Sequence, residues 1–106
     1  MTEPCALVIL CTCPDAESAG RIARALVEER LAACVNRIPG LTSVYRWQDE
    51  IHEEGEILLL IKTRRERFEA LRARLVALHP YDVPEVIALD ITSGHAPYLE
   101  WLETET

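Results

Sequence analysis

Residues 6–13, ALVILCTC, are the stretch that decides the fold. The run is apolar and rich in β-favouring side chains, and Pro14 closes it because the residue before a proline is held in extended geometry. We interpret the run as the first strand. Since neighbouring side chains of a strand point to opposite faces of a sheet, both faces of this strand are apolar. A sheet built around it therefore needs cover on both sides.

The segments that follow predict a helix and then a hairpin. Asp15 stands at an N-cap position, and apolar residues recur at helical spacing until the helix ends near Leu31. The predicted hairpin consists of a long strand at 33–47 bent at Pro39-Gly40, a polar acidic turn at 48–55 and a returning strand at 56–63.

The second half of the chain also predicts a helix followed by a strand. Thr63 is expected to cap a second helix, which His79-Pro80 stops. A fourth strand is predicted at 86–91 and a short helix around 98–102.

The order βαββαβ with a small final helix predicts one ferredoxin-like α+β domain over residues 1–106, a two-layer sandwich. Two helices cover only one face of its four-stranded antiparallel sheet. The other face of the first strand is also apolar, and another copy of the same sheet is the simplest cover for it. The sequence therefore predicts a homo-oligomer.

Composition narrows the class of protein further. The 106 residues include 11 basic and 18 acidic side chains, a formal net charge of -7, so nucleic acid and anionic membranes are not expected partners. Four cysteines are too few for a secreted disulfide scaffold and are expected to be reduced thiols. Glu3 and Pro4 precede the first apolar run where a signal peptide carries positive charge, which predicts a cytoplasmic protein.

Three segments carry a family resemblance: AACVN at 32–36, SVYRW at 43–47 and HPYDVPE at 79–85. Together they resemble the CutA family, and the likeness runs from about residue 7 to residue 102. The resemblance implies a ferredoxin-like homotrimer whose sheets associate edge to edge. It also implies divalent-cation tolerance and copper binding.

The chain departs from the family pattern after Trp47. The family usually has a small polar residue, a glycine and a lysine there, whereas this chain has Gln48, Asp49 and Glu50. Asp tolerates left-handed backbone geometry better than most residues, so the turn is expected to survive.

Cys11, Cys13 and His79 are the candidate metal ligands. Two cysteines two residues apart on a strand leave the same face, and soft thiolates select copper(I) or zinc. The resemblance places Cys11 at the family's copper-associated cysteine. The competing interpretations are that both cysteines are small core residues and that His79 caps the second helix.

Lys62, Glu85, Tyr81 and Trp47 are the candidate ligand-binding residues. Lys62 closes an apolar strand, and pairing with Glu85 or Asp90, across the sheet or across a subunit boundary, would form a polar pocket for a small anion. Tyr81 and Trp47 are expected to line that pocket. The alternatives are a lysine that extends to solvent and aromatic rings that only pack.

Two functions follow as hypotheses. The first is a cytoplasmic trimer that binds copper or another divalent ion without catalysis. The second is a trimeric small-ligand sensor or scaffold in which the cysteines are structural. No phosphate loop, C-x-x-C pair or hydrolase motif is present, so we do not expect an enzyme.

Overall fold

The computed structural model describes residues 5–106. Four strands and three helices follow one another in the predicted βαββαβα order. Their bounds are β1 Ala6–Cys13, α1 Ala16–Glu28, β2 Cys34–Trp47, β3 Glu50–Arg64, α2 Phe68–Leu78, β4 Ile87–Asp90 and α3 Ala96–Thr104, with a 3-10 turn at Arg65–Arg67 before α2.

The strands form one antiparallel sheet in the order β2-β3-β1-β4. Strand β1 therefore lies in the interior of the sheet, as its continuous apolar sequence predicts. Its residues pair with β3 from Ala6 opposite Arg64 to Cys13 opposite Ile57. The α+β class and the order of elements are confirmed.

The main core lies between the sheet and helices α1 and α2. Ile9, Cys11 and Cys13 of β1 are buried on this face, as are Leu59 and Ile61 of β3. The helices contribute apolar residues at helical spacing, which is why the amphipathic pattern predicts them well. These helix residues are Ala19, Ile22 and Leu26 of α1 and Leu71 and Leu75 of α2.

The opposite face of the sheet is covered only at one end. Helix α3 packs there, with Leu102 buried against Ala6 and Ala33. The remaining apolar side chains form what we call the open face, and its β4 members Ile87 and Leu89 are 50% and 51% exposed. By strand alternation and register, the open face consists of Val8, Leu10, Leu58, Leu60, Ile87 and Leu89.

The hairpin differs from its prediction in one respect. The polar segment 48–55 is not a long turn, because β3 already begins at Glu50 and only Gln48 and Asp49 connect the strands. Both residues have positive φ, 50° and 65°, the geometry of a two-residue hairpin turn. The predicted bend of β2 is confirmed by a register shift between Ile38 and Leu41.

Two helix boundaries also differ. Helix α1 ends at Glu28, before Leu31, and Arg30 adopts a φ of 58° just beyond it. Thr63 does not cap α2: it lies buried in β3, where its hydroxyl donates to the Leu31 carbonyl at 2.7 Å. Across residues 5–106, none of the helices has the length and apolar character needed to span a membrane.

Candidate metal site and adjoining cavity

The structure brings the three predicted metal ligands together. The Sγ atoms of Cys11 and Cys13 and a ring nitrogen of His79 all lie within 4.8 Å of one another, and all three side chains are buried. Strand alternation puts both cysteines on one face, as predicted, and this is the face that the helices cover. The end of α2 places His79 beside them. Among the described residues, this is the group of His, Cys, Asp and Glu side chains whose ligand atoms lie close enough together to hold one metal ion.

The two thiols form a coupled pair. A hydrogen bond with Cys13, followed by burial, raises the pKa of the Cys11 thiol. The same hydrogen bond with Cys11 lowers the pKa of Cys13, against the effect of burial. Cys13 is therefore the first of the two to ionise. If both thiols lose their protons, two negative charges lie side by side in a buried site, and a bound cation is needed to balance them.

The His79 ring is held by the backbone at both nitrogens. The Tyr81 N–H donates to Nδ1 at 3.1 Å, so Nε2 carries the proton and donates to the Thr12 carbonyl at 2.8 Å. The ring thus ties the end of α2 to β1. His79 is also the C-cap residue of α2, because its backbone N–H donates to the Leu75 carbonyl at 2.9 Å, while its ring bonds Thr12 and Tyr81 outside the helix.

A cavity of about 630 Å³ lies next to this cluster. It is bounded by the end of β1, the base of the β2–β3 hairpin and the loop that follows α2. Trp47, Tyr81 and Glu85, three of the four predicted ligand-binding residues, line it. The other lining residues are Thr12, Ser43, Val44, Tyr45, Glu56, Pro80, Asp82 and Val83.

Lys62, the fourth predicted ligand-binding residue, does not line this cavity. It lies on β3 opposite Val8, several residues from the hairpin base, and donates a hydrogen bond to Asn36 Oδ1. Its other predicted partner, Asp90, pairs instead with Arg65. Asp90 is aligned with Leu7 on the helix-covered face, whereas Lys62 is on the open-face side of β3. The predicted lysine–carboxylate pocket is therefore absent from this subunit.

Glu56 is the cavity residue that the sequence analysis missed. It is buried, and Tyr81 Oη donates to its Oε2 at 2.7 Å. Burial, then the hydrogen bond to Glu56 and its negative charge, raises the pKa of Tyr81, so the phenol remains protonated. In the sequence, Glu56 directly follows the acidic segment 48–55, which is typical of an exposed polar turn. Nothing in that pattern indicates that Glu56 is buried.

Fold and site together define a class: a small α+β protein of ferredoxin-like topology with a buried thiol–imidazole cluster beside an acidic, aromatic cavity. Residues 7–105 match the family model described as CutA1 divalent ion tolerance protein. The chain belongs to the CutA1 family.

Sequence similarity to known proteins extends along almost the whole chain. The divalent-cation tolerance protein CutA of Thermus thermophilus is 58% identical over 99 residues, which is 93% of this chain and 96% of that protein. Human protein CutA is 50% identical over 95 residues, 90% of this chain but 53% of the human one. The solved Cut A1 structure from Thermus thermophilus superposes with a TM-score of 0.93 at 56% identity, covering 95% of this chain and 98% of that one.

Proposed function

We propose that this protein is a cytoplasmic homotrimer that binds copper through Cys11 and Cys13 and contributes to metal tolerance by binding rather than catalysis. The observation that carries the proposal is the convergence of two thiols and an imidazole within 4.8 Å in a buried site. Thiolate sulfurs prefer soft ions, copper(I) and zinc before magnesium or calcium. Divalent-cation tolerance is the family's stated role.

The two cysteine sulfurs are the first ligands expected to bind the metal ion, in a two-coordinate site. Both sulfurs are available, because the bonds of the pair are the Cys11–Cys13 hydrogen bond and a long contact of 3.8 Å from Cys11 Sγ to the Thr12 carbonyl. Both nitrogens of His79 already bond the backbone. His79 therefore joins as a third ligand only if the ring gives up its bond to Thr12 or to Tyr81.

The open face supports the homotrimer. Ile87 and Leu89 of the open face are half-exposed, its members on β1 and β3 are partly exposed, and such an apolar patch marks an interface. Association of three sheets would bury it. The cytoplasmic location is proposed from the sequence, whose four cysteines are too few for a secreted disulfide scaffold.

Native mass spectrometry under reducing conditions, with copper added stepwise, tests stoichiometry and metal uptake together. We expect a trimer that takes up about one copper per subunit. Cys11→Ser and Cys13→Ser should abolish this uptake, while Cys34→Ser is the matched control because Cys34 lies on the other face of the sheet, opposite Lys62. Uptake by both site variants equal to that of the parent protein would overturn the assignment of the thiols.

The cavity favours a second candidate function, small-ligand binding. It has a volume within the range of small-molecule sites and combines aromatic rings with a few carboxylates. On this hypothesis the protein is a trimeric sensor and the cysteines are structural. Copper uptake that survives loss of either thiol, with ligand binding at the cavity, would favour this function.

A further inference from the structure

The charged side chains that line the cavity beside the cluster are all acidic. Glu56, Asp82 and Glu85 line it, and no lysine, arginine or histidine side chain of residues 5–106 does. The small anion expected from the sequence therefore meets repulsion here, since the lysine that was to hold it lies elsewhere. The lining favours a ligand of the opposite charge.

Glu56 is the strongest local indication of that charge. Its side chain is on β3 at the wall of the cavity, and the residue is only 7% exposed. Its bonding partner is the neutral Tyr81 hydroxyl, and within the described part of the chain no basic side chain forms an ion pair with it. A buried carboxylate without a countercharge is unfavourable, and a bound cation relieves it.

The aromatic residues supply the second element of a cation site. Tyr45, Trp47 and Tyr81 border the same cavity. The face of an aromatic ring is negative and attracts an ammonium or guanidinium group within about 6 Å of the ring centre. One face of Tyr45 is stacked against His52, with 5.3 Å between the ring centres, which leaves its other face for a ligand. The carboxylates of the cavity do not converge as a metal site does among the described residues, whereas Cys11, Cys13 and His79 do. The lining thus suits an organic cation better than a metal ion.

We propose that the cavity binds a small organic ammonium compound, with the charged nitrogen against Glu56 and the carbon skeleton against Tyr45, Trp47 and Tyr81. The proposal rests on the second candidate function and names the chemical class of its ligand. It requires no change at the thiol cluster, so copper and the ammonium ligand bind at separate places in the same subunit.

Three probes of similar shape test the charge. Benzylamine, benzyl alcohol and benzoate are titrated into the full chain under reducing conditions, and amide shifts are followed by NMR. We expect benzylamine to bind with a Kd of about 1 mM or tighter and to shift the amides of Thr12, Glu56 and Tyr81. The alcohol and the carboxylate should bind at least about tenfold more weakly.

Two variants locate the site. Glu56→Gln keeps an acceptor for Tyr81 but removes the charge, and it should weaken benzylamine binding about tenfold or more. Glu53→Gln is the matched control, because Glu53 is exposed on the other side of the same strand and should leave affinity unchanged. Trp47→Ala provides an independent variant on an exposed residue and should also weaken binding.

Each other result contradicts the proposal in a distinct way. Equal or tighter binding of benzoate or benzyl alcohol at the same amides would refute the cationic class but leave a small-ligand cavity standing. Absence of binding by every probe would reject the small-ligand function as well. If Glu56→Gln instead dissociates the oligomer, the cation that Glu56 meets belongs to a second copy of the chain, and the proposal is wrong.

Discussion

Leu59 and Leu60 are adjacent on β3 but face opposite sides of the sheet, and this makes a sharp test of the proposed assembly. Leu59 is fully buried under the helices, whereas Leu60 lies on the open face opposite Leu10. In a single subunit a glutamate in place of Leu60 keeps access to water. In the trimer the same charge would be buried in an apolar interface.

The magnitude follows from this burial. Leaving an unpaired charge in a buried interface costs about 3 to 5 kcal/mol, and a trimer contains three copies of the change, so assembly should lose about 9 to 15 kcal/mol. Leu60→Glu is therefore expected to give folded monomers. Leu59→Glu is expected to unfold the subunit, because the charge enters the core.

Light scattering during gel filtration measures the mass, and far-UV circular dichroism measures folding. Val76→Glu is the control, because Val76 is 37% exposed on α2 and its substitution should change neither quantity. A Leu60→Glu protein that remains a folded trimer would refute the assignment of the open face to the interface.

Three further predictions concern stability. Leu71→Ala should lower the free energy of unfolding by about 2 to 5 kcal/mol in urea titrations, since Leu71 is fully buried in the core, and a loss under 1 kcal/mol would contradict this packing. Asp49→Gly should raise it by about 0.5 to 1 kcal/mol, because Asp49 has a φ of 65°, and an unchanged urea midpoint would count against strain at the turn. Hydrogen bonds from the Ser18 N–H and hydroxyl lower the pKa of Asp15, so its contribution is present above the ordinary carboxyl pKa of about 3.9 and is lost as pH falls through the lower folded value. Asp15→Ala should accordingly destabilise the protein more at pH 7 than at pH 2, and equal effects at both pH values would disprove the linkage.

Sequence reasoning predicted the local parts of the structure well. Hydrophobic periodicity is a short-range property, so the strand at 6–13 and the helix that stops at His79 follow directly from it. The placement of Cys11 and Cys13 on one face is equally local. The helix boundary expected at Thr63 was wrong because Thr63 finds its partner at Leu31, more than thirty positions away.

The candidate site shows most clearly which features follow from the sequence and which depend on the tertiary structure. The alternation of β1 alone determined that the two thiols share a face, and the βαββαβ order determined which elements surround them. Only the tertiary structure decided that His79 reaches them, that Lys62 stays away from Glu85, and that Glu56 is buried against Tyr81. These facts depend on the sheet register and on how the loop after α2 packs against the hairpin. Contacts between residues distant in sequence leave no periodic pattern, because the free energy that selects them arises only when the whole chain is packed.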